Sequence, residues 1–211
     1  MVAISLENFQ LAVTRVGGGQ ADDTHAMLMA AWSEPARRYH TVQHLEECVV
    51  LAGQWGGRLA PFWRGILVLG AWFHDAVYDP RGTDNELKSA ELAKRELAKL
   101  GVPFSVQERV ADLVMATAHG SAAAPADDYL AELLVDIDLA IMGASAERFA
   151  EYEAQVRDEY SWVDEATYAV ERDKVMRHFG AMVSGEPATL YRTSYGRTLL
   201  SRARVNLLQY H

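Results

Sequence analysis

The chain has 211 residues, half of them hydrophobic, which is enough for one domain with a sizeable buried core. Its 29 acidic and 20 basic residues give a formal net charge of −9, which argues against binding to a nucleic-acid polymer, because that requires clustered Lys and Arg. The single cysteine, Cys48, excludes an internal disulfide. The longest apolar stretch, residues 65–73, is too short to cross a membrane. The N-terminal residues do not have the pattern of a signal peptide, so we expect a cytoplasmic protein.

Helical periodicity dominates the chain. Apolar residues recur at helical spacing from Val42 to Ala52, which predicts a helix over residues 41–54. Pro61 suits the first turn of the next helix, over roughly 61–78, and because this helix is apolar on nearly all sides we expect it at the centre of the core. Further helices are predicted at residues 84–100, 103–119, 127–142, 145–160, 163–183 and 194–208.

No pair of alternating apolar runs flanks a hairpin signal in this sequence. The pattern therefore predicts an all-α protein of about eight or nine helices. Neither of the two loop-like segments, GGG and SAAAPADD, is long enough to separate independent domains, so we expect a single domain over residues 1–211.

Histidines and an aspartate are grouped in the segments YHTVQH and FHDAVYD. His40 and His44 are four residues apart and share a helical face, and His74-Asp75 lies near the end of the apolar helix. A buried His beside an Asp is costly unless something binds both, and a divalent cation does so because imidazole and carboxylate are its natural ligands. Taken singly, each of these residues is more often a hydrogen-bonded core residue or an exposed helix start; together they indicate a metal site.

Two further carboxylates occur in LLVDIDLAIMG. Asp136 and Asp138 are two positions apart, so they point to opposed faces of a helix, and only one of them can easily join the same site. The spacing alone does not choose between them.

The ordered set of His44, His74-Asp75 and Asp138 resembles the H…HD…D signature of the HD-domain superfamily of metal-dependent phosphohydrolases. YHTVQH is similar to the YHN-x-x-H motif of the cyclic-nucleotide phosphodiesterase branch of that superfamily. The segments FHDAVYDP, DNELKSAE, DIDLAIMG and ARVNLL resemble a bacterial family of HD phosphohydrolases, and the likeness runs from about residue 32 to the C-terminus. It implies an HD-type helical bundle, in agreement with the periodicity.

The resemblance implies a ligand set for one divalent metal ion, namely His44, His74, Asp75 and Asp138. It favours Asp138 over Asp136 because DLA is similar to the DLS segment around the phosphodiesterase ligand. Mn, Co, Ni, Fe, Zn and Mg all suit such a donor set. The implied activity is hydrolysis of a phosphate ester by a metal-activated water, with a nucleotide-like phosphorylated small molecule as substrate and neither a membrane nor a nucleic-acid polymer as partner. The sequence does not indicate an oligomeric state.

The catalytic residues expected from the resemblance are His40, Asp75 and Asp79. His40 matches the histidine that protonates the leaving group. Asp79 falls where the alarmone hydrolases of the superfamily carry an acidic pair, but the first position of that pair is Tyr78 here, so an alarmone is not the expected substrate. Glu86 is either a second carboxylate near the site or a helix-start acid, which is the more frequent role.

Three residues are candidates for substrate binding. Arg37 and Arg38 directly precede the histidine motif and are the nearest cations to it, and His119 is the one histidine between the HD pair and the last Asp. A single extra histidine favours a mononuclear site. Two alternatives remain at this point, namely a noncatalytic HD module that binds a nucleotide or a partner, and a di-iron HD-fold oxygenase, which needs more histidine ligands than the chain offers.

Overall fold

The structure of the protein is a computed structural model that describes residues 3–118 and 127–210. All regular structure in these residues is helical, with eleven α-helices and three short 3₁₀ helices, so the prediction of an all-α fold is confirmed. The chain divides into two compact units, Met1–Val135 and Asp136–His211, and the boundary falls inside one helix. The prediction of a single domain stays a prediction.

The first unit holds the helices that carry the histidine motifs. Its helices are α1 (Leu6–Arg15), α2 (Asp22–Trp32), α3 (Val42–Trp55), α4 (Pro61–Phe73), α5 (Asn85–Lys99), α6 (Phe104–Ala116) and α7 (Tyr129–Asp138), the last of which crosses the boundary. The second unit contains α8 (Ala146–Glu159), α9 (Glu165–Ser184), α10 (Ser194–Arg197) and α11 (Leu200–Leu207).

There are more helices than the eight or nine expected, for two reasons. The sequence analysis assigned no helix before residue 41, where α1 and α2 lie. In addition, the helix predicted over 194–208 is divided into α10 and α11. Thr193 caps α10 by accepting a hydrogen bond from the Gly196 backbone N–H, which fixes a separate short turn there.

Helix α4 is the centre of the first unit, as its sequence predicts. Every residue from Gly65 to Phe73 is buried, and the helix packs against α1, α3, α5 and α6. The apolar surface on all its sides is therefore covered, which is the arrangement that stabilises such a helix in water.

Helix α3 begins and ends where the sequence indicates. The Thr41 side chain accepts a hydrogen bond from the Gln43 backbone N–H at 3.3 Å, and Gly56 follows the last residue of the helix. Only a short 3₁₀ turn and two residues join α3 to α4, against which α3 packs, so the two helices run antiparallel. The start of α3 therefore lies beside the end of α4.

The second unit is organised around α11, which packs on α9 and on the 3₁₀ helix Leu139–Gly143. The Asn206 side chain donates hydrogen bonds to the carbonyls of Met142 and Ala144, at 3.0 and 3.1 Å.

Among the helices of the described residues, none combines the length and the apolar character that a membrane crossing needs.

Candidate metal centre

The first element of the candidate site is the start of α3. His44 lies in the first turn of this helix, directly after the Thr41 cap, and its side chain is 2% exposed. The Tyr39 ring packs against the rings of His40 and His44, with centroids 4.8 and 4.7 Å apart. The helix cap and the tyrosine together hold both imidazoles in place.

The second element is the end of α4, where His74 is the first residue after the helix. Its Nδ1 lies 2.9 Å from the carbonyl oxygen of Ala71, an acceptor, so this nitrogen carries the proton. The Nε2 of His74 is then left with a lone pair, which is the form that binds a metal ion. The Trp32 ring packs 5.4 Å from the imidazole, and its own N–H donates to the carbonyl of Trp72 at 3.1 Å.

The two elements bring nitrogen and oxygen ligand atoms together. The Nε2 atoms of His44 and His74 lie 3.1 Å apart. The Oδ2 of Asp75 lies 3.3 Å from the Nε2 of His74 and 3.9 Å from that of His44. Two ligands on neighbouring positions of a metal ion lie about 3 Å apart when each is about 2.1 Å from the ion. The donor set thus fits a divalent cation in both its chemistry and its spacing.

The site is buried where His44 and His74 lie and more exposed where Asp75 and His40 lie. The side chains of His44 and His74 are 2% and 1% exposed, whereas those of Asp75 and His40 are 14% and 20% exposed. The Nε2 of His40 lies 3.9 Å from the Oδ2 of Asp75, and its ring stacks on Tyr78 with centroids 3.9 Å apart. His40 is therefore held at the rim, where a small molecule can reach it.

Sequence reasoning missed Cys48, which lies one turn after His44 on α3. Its buried Sγ is 3.8 Å from both ring nitrogens of His44. These equal distances place the sulfur beside the ring rather than beyond the Nε2 lone pair. His44, Cys48 and His74 each offer a ligand atom within 4.8 Å of the others, so this buried group could hold a metal ion. The four-residue spacing from His44 to Cys48 places both residues on one face of the helix, and this was the signal that could have revealed Cys48.

Arg37 has a different environment from the one expected of a substrate-binding residue. It is buried, and its Nη1 donates to the carbonyls of His40 and Asp75 at 3.1 and 2.7 Å, while its Nη2 donates to that of Ala76 at 3.0 Å. The guanidinium thereby ties the segment before α3 to the segment after α4. These contacts let Arg37 hold the site together, and its predicted contact with substrate stays a prediction.

The other predicted residues lie near the surface of the first unit. Arg38 is exposed, and its Nη1 donates to the carbonyls of Pro35 and Arg37. Asp79 is exposed, and its Oδ1 accepts from the Arg81 backbone N–H at 2.9 Å, so it stabilises a turn.

The predicted roles of Arg38 and Asp79 stay predictions, and so do those of Glu86 and His119. Glu86 lies in the first turn of α5, the position of a helix-start acid. His119 lies outside the described residues, so its predicted role near the substrate stays a prediction.

The two carboxylates of the DID segment differ in their surroundings. The Asp136 side chain is fully buried in the second unit and accepts hydrogen bonds from the backbone N–H groups of Arg192 and Thr193 and from the Thr193 hydroxyl. Asp136 therefore has a structural role. Asp138 is the last residue of α7 and is half-buried, and its role as a ligand stays a prediction from the resemblance.

In comparisons with known proteins, no family model, no curated protein and no solved structure matches the chain.

Proposed function

We propose that the protein is a metal-dependent phosphohydrolase that cleaves a phosphate ester of a nucleotide or another small phosphorylated metabolite. The observation that carries the proposal is the convergence of His44, His74 and Asp75 at the meeting point of two helix ends. Three such donors around one point, two of them almost fully buried, are unfavourable without a cation and natural with one. The HD-type resemblance supports the same reading and adds Asp138 as a fourth ligand.

A divalent metal ion at this site would supply Lewis acidity for the phosphoryl group and would activate water as the nucleophile near neutral pH. His44 and His74 would hold the ion through Nε2, and the contact of His74 with the Ala71 carbonyl keeps the ring proton on the other nitrogen. Asp75 contributes negative charge on the more exposed side, where the substrate enters.

His40 is the proposed proton donor to the leaving oxygen. Its ring is confined between Tyr39 and Tyr78, and its Nε2 faces the Asp75 carboxylate at 3.9 Å. Its position at the rim lets His40 reach the departing group without displacing His44 or His74.

The positive charge that neutralises the phosphate comes from the metal ion in this proposal. Arg37, one of the two arginines that directly precede the histidine motif, is buried, and its two Nη atoms already donate to three backbone carbonyls. Because the Arg37 guanidinium is already engaged with backbone carbonyls, we expect the activity to depend on the metal.

The test is a hydrolysis assay of the metal-free protein after addition of single divalent metals. The substrates are 4-nitrophenyl phosphate, bis(4-nitrophenyl) phosphate and a panel of nucleotides and phosphorylated metabolites. We expect metal-dependent release of product by the native protein and by the His178→Ala variant, since His178 is an exposed residue of α9. His44→Ala should abolish it. A protein that binds metal but turns over none of these esters would contradict the proposal and favour a noncatalytic module.

A further inference from the structure

A second site lies in the first unit, in a pocket of about 420 Å³ between α1, α3 and α4. It is lined by Gly53 and Gln54 near the end of α3 and by Arg64 and Val68 of α4. Because His44 lies at the start of α3 and His74 follows the end of α4, the pocket is at the opposite end of this helix pair from the candidate metal centre. Its volume lies in the range of small-molecule sites, about 300–1,000 Å³.

Most of the pocket wall is apolar. Leu11 and Ala12 of α1, Val49 and Val50 of α3 and Val68 of α4 supply it. Leu11 is 45% exposed and Val50 is 38% exposed, so the apolar surface continues to the mouth of the pocket. A ligand with an apolar body would remove this surface from water, which is favourable in proportion to the area covered.

Two arginines, Arg15 of α1 and Arg64 of α4, share this pocket. Gly65 lets the two helices come this close, because a Cβ at that position would lie 3.0 Å from the Cβ of Arg15 and 3.0 Å from the carbonyl oxygen of Ala12. Arg15 and Arg64 therefore line the same cavity from neighbouring helices.

Neither arginine is neutralised within the described part of the chain. Neither one forms an ion pair with a carboxylate there, and the Nε of Arg64 is buried without a hydrogen-bond partner. The pKa of Arg15 is lowered, first by burial and then by repulsion from Arg64. A buried charged donor without an acceptor is costly, and two like charges in one pocket add to that cost.

We propose that this pocket binds an amphipathic anion, a molecule with a carboxylate or phosphate group on an apolar chain or ring. The anionic group lies between Arg15 and Arg64 and supplies the missing acceptors, since guanidinium groups bind carboxylates and phosphates through paired hydrogen bonds. The apolar part lies along Val49, Val50 and Val68. This proposal does not depend on the metal centre or on the proposed hydrolase activity.

Binding is measured by isothermal titration calorimetry with four probes: octanoate, octyl phosphate, octanol and inorganic phosphate. We expect octanoate or octyl phosphate to bind at least about tenfold more tightly than octanol and inorganic phosphate, because only the first two carry both the charge and the apolar chain. The one of these two anions that binds more tightly shows whether the pocket prefers a carboxylate or a phosphate group. Octanol binding as tightly as both amphipathic anions, or no binding of either anion, would overturn the proposal.

Two variant pairs locate the binding. Arg64→Gln should weaken binding of the preferred anion about tenfold or more, whereas Arg58→Gln removes the same charge from an exposed residue of the turn between α3 and α4 and should leave it unchanged. Gly53→Leu should block the pocket, and Gly57→Leu should not. A Cβ at either glycine meets no atom within 4 Å, so both variants keep the fold. Unchanged binding in both Arg64→Gln and Gly53→Leu would place the anion elsewhere and refute the site.

Discussion

The Nε2 atoms of His44 and His74 lie 3.1 Å apart, although thirty positions separate the two residues in the sequence. The contact follows from the antiparallel packing of α3 and α4, which places the first turn of one helix beside the end of the other. His74 is held with its lone pair toward His44 by the hydrogen bond of its Nδ1 to Ala71. Two imidazoles so arranged are prepared for a shared cation before one binds.

Replacement of His40 by alanine separates metal binding from proton donation. We expect His40→Ala to retain the metal and to lose about 10²- to 10⁴-fold in turnover of alkyl phosphate esters. Esters with a 4-nitrophenyl leaving group need no proton donor, so their hydrolysis should fall much less. Steady-state kinetics with both ester classes, together with metal analysis of the variant, measure this. An equal loss for both classes with full metal content would remove His40 from the role of acid.

Arg37 is expected to act on the shape of the site rather than on substrate. Arg37→Gln removes the donors to the carbonyls of His40, Asp75 and Ala76, and we expect unfolding to become easier by about 2–4 kcal/mol. Metal affinity, measured where the variant is fully folded, should also fall. Urea denaturation and metal titration report the two effects. Arg38→Gln is the matched control, since Arg38 is exposed, and its effect on unfolding should stay below about 1 kcal/mol.

If Arg37 contacted the substrate phosphate instead, Arg37→Gln would raise KM while leaving stability and metal affinity near the native values. That outcome would restore the role expected from its sequence position.

Replacing Asp136 and replacing Asp138 should have different effects on the protein. Asp136→Ala leaves the N–H groups of Arg192 and Thr193 and the Thr193 hydroxyl without their acceptor, and we expect a loss of about 2–4 kcal/mol in stability. Asp138→Ala should leave stability in the presence of a chelator nearly unchanged and should lose the metal. Chemical denaturation with chelator present and metal analysis without it separate the two. Normal metal content in Asp138→Ala would show that the fourth ligand is another group.

A surface ion pair gives a prediction for pH. The Arg109 guanidinium, 2.7 and 2.6 Å from the two carboxylate oxygens of Asp128, holds the pKa of that carboxyl below its usual range. A lowered pKa stabilises the folded state above the unfolded-state pKa of about 3.9, and this contribution disappears as the pH falls through the folded-state pKa.

Asp128→Asn should therefore lower stability by about 1 kcal/mol near neutral pH, a modest value because both side chains are partly exposed. The difference from the native protein should close in strong acid. Urea denaturation over a pH series measures it. If the stability difference between Asp128→Asn and the native protein stayed the same in acid, the asparagine would disturb the start of α7 through its shape rather than its lack of charge.

Local features of the sequence predict the helices best. Thr41 and Gly56 mark the ends of α3, and the apolar run after Pro61 marks α4 as the central helix, because these signals act within a few residues. Helix α2 was missed since no side chain caps its start and it carries no clear apolar stripe.

The site was predictable only in part, because long-range contacts decide the rest. The spacing of His40, His44 and His74-Asp75 pointed to the group that the structure brings together. The role of Arg37 depends on carbonyl groups up to 39 positions away, which no motif reveals. The choice of Asp136 as the structural carboxylate likewise depends on Thr193, 57 positions away.

The metal content of purified protein, measured by elemental analysis after loading with a single divalent metal and removal of excess, tests the central claim most directly. We predict one ion per native chain, and the same in the exposed-residue control His178→Ala. His44→Ala and His74→Ala should bind none, with helical circular dichroism unchanged. Full metal content in both folded histidine variants would contradict the account.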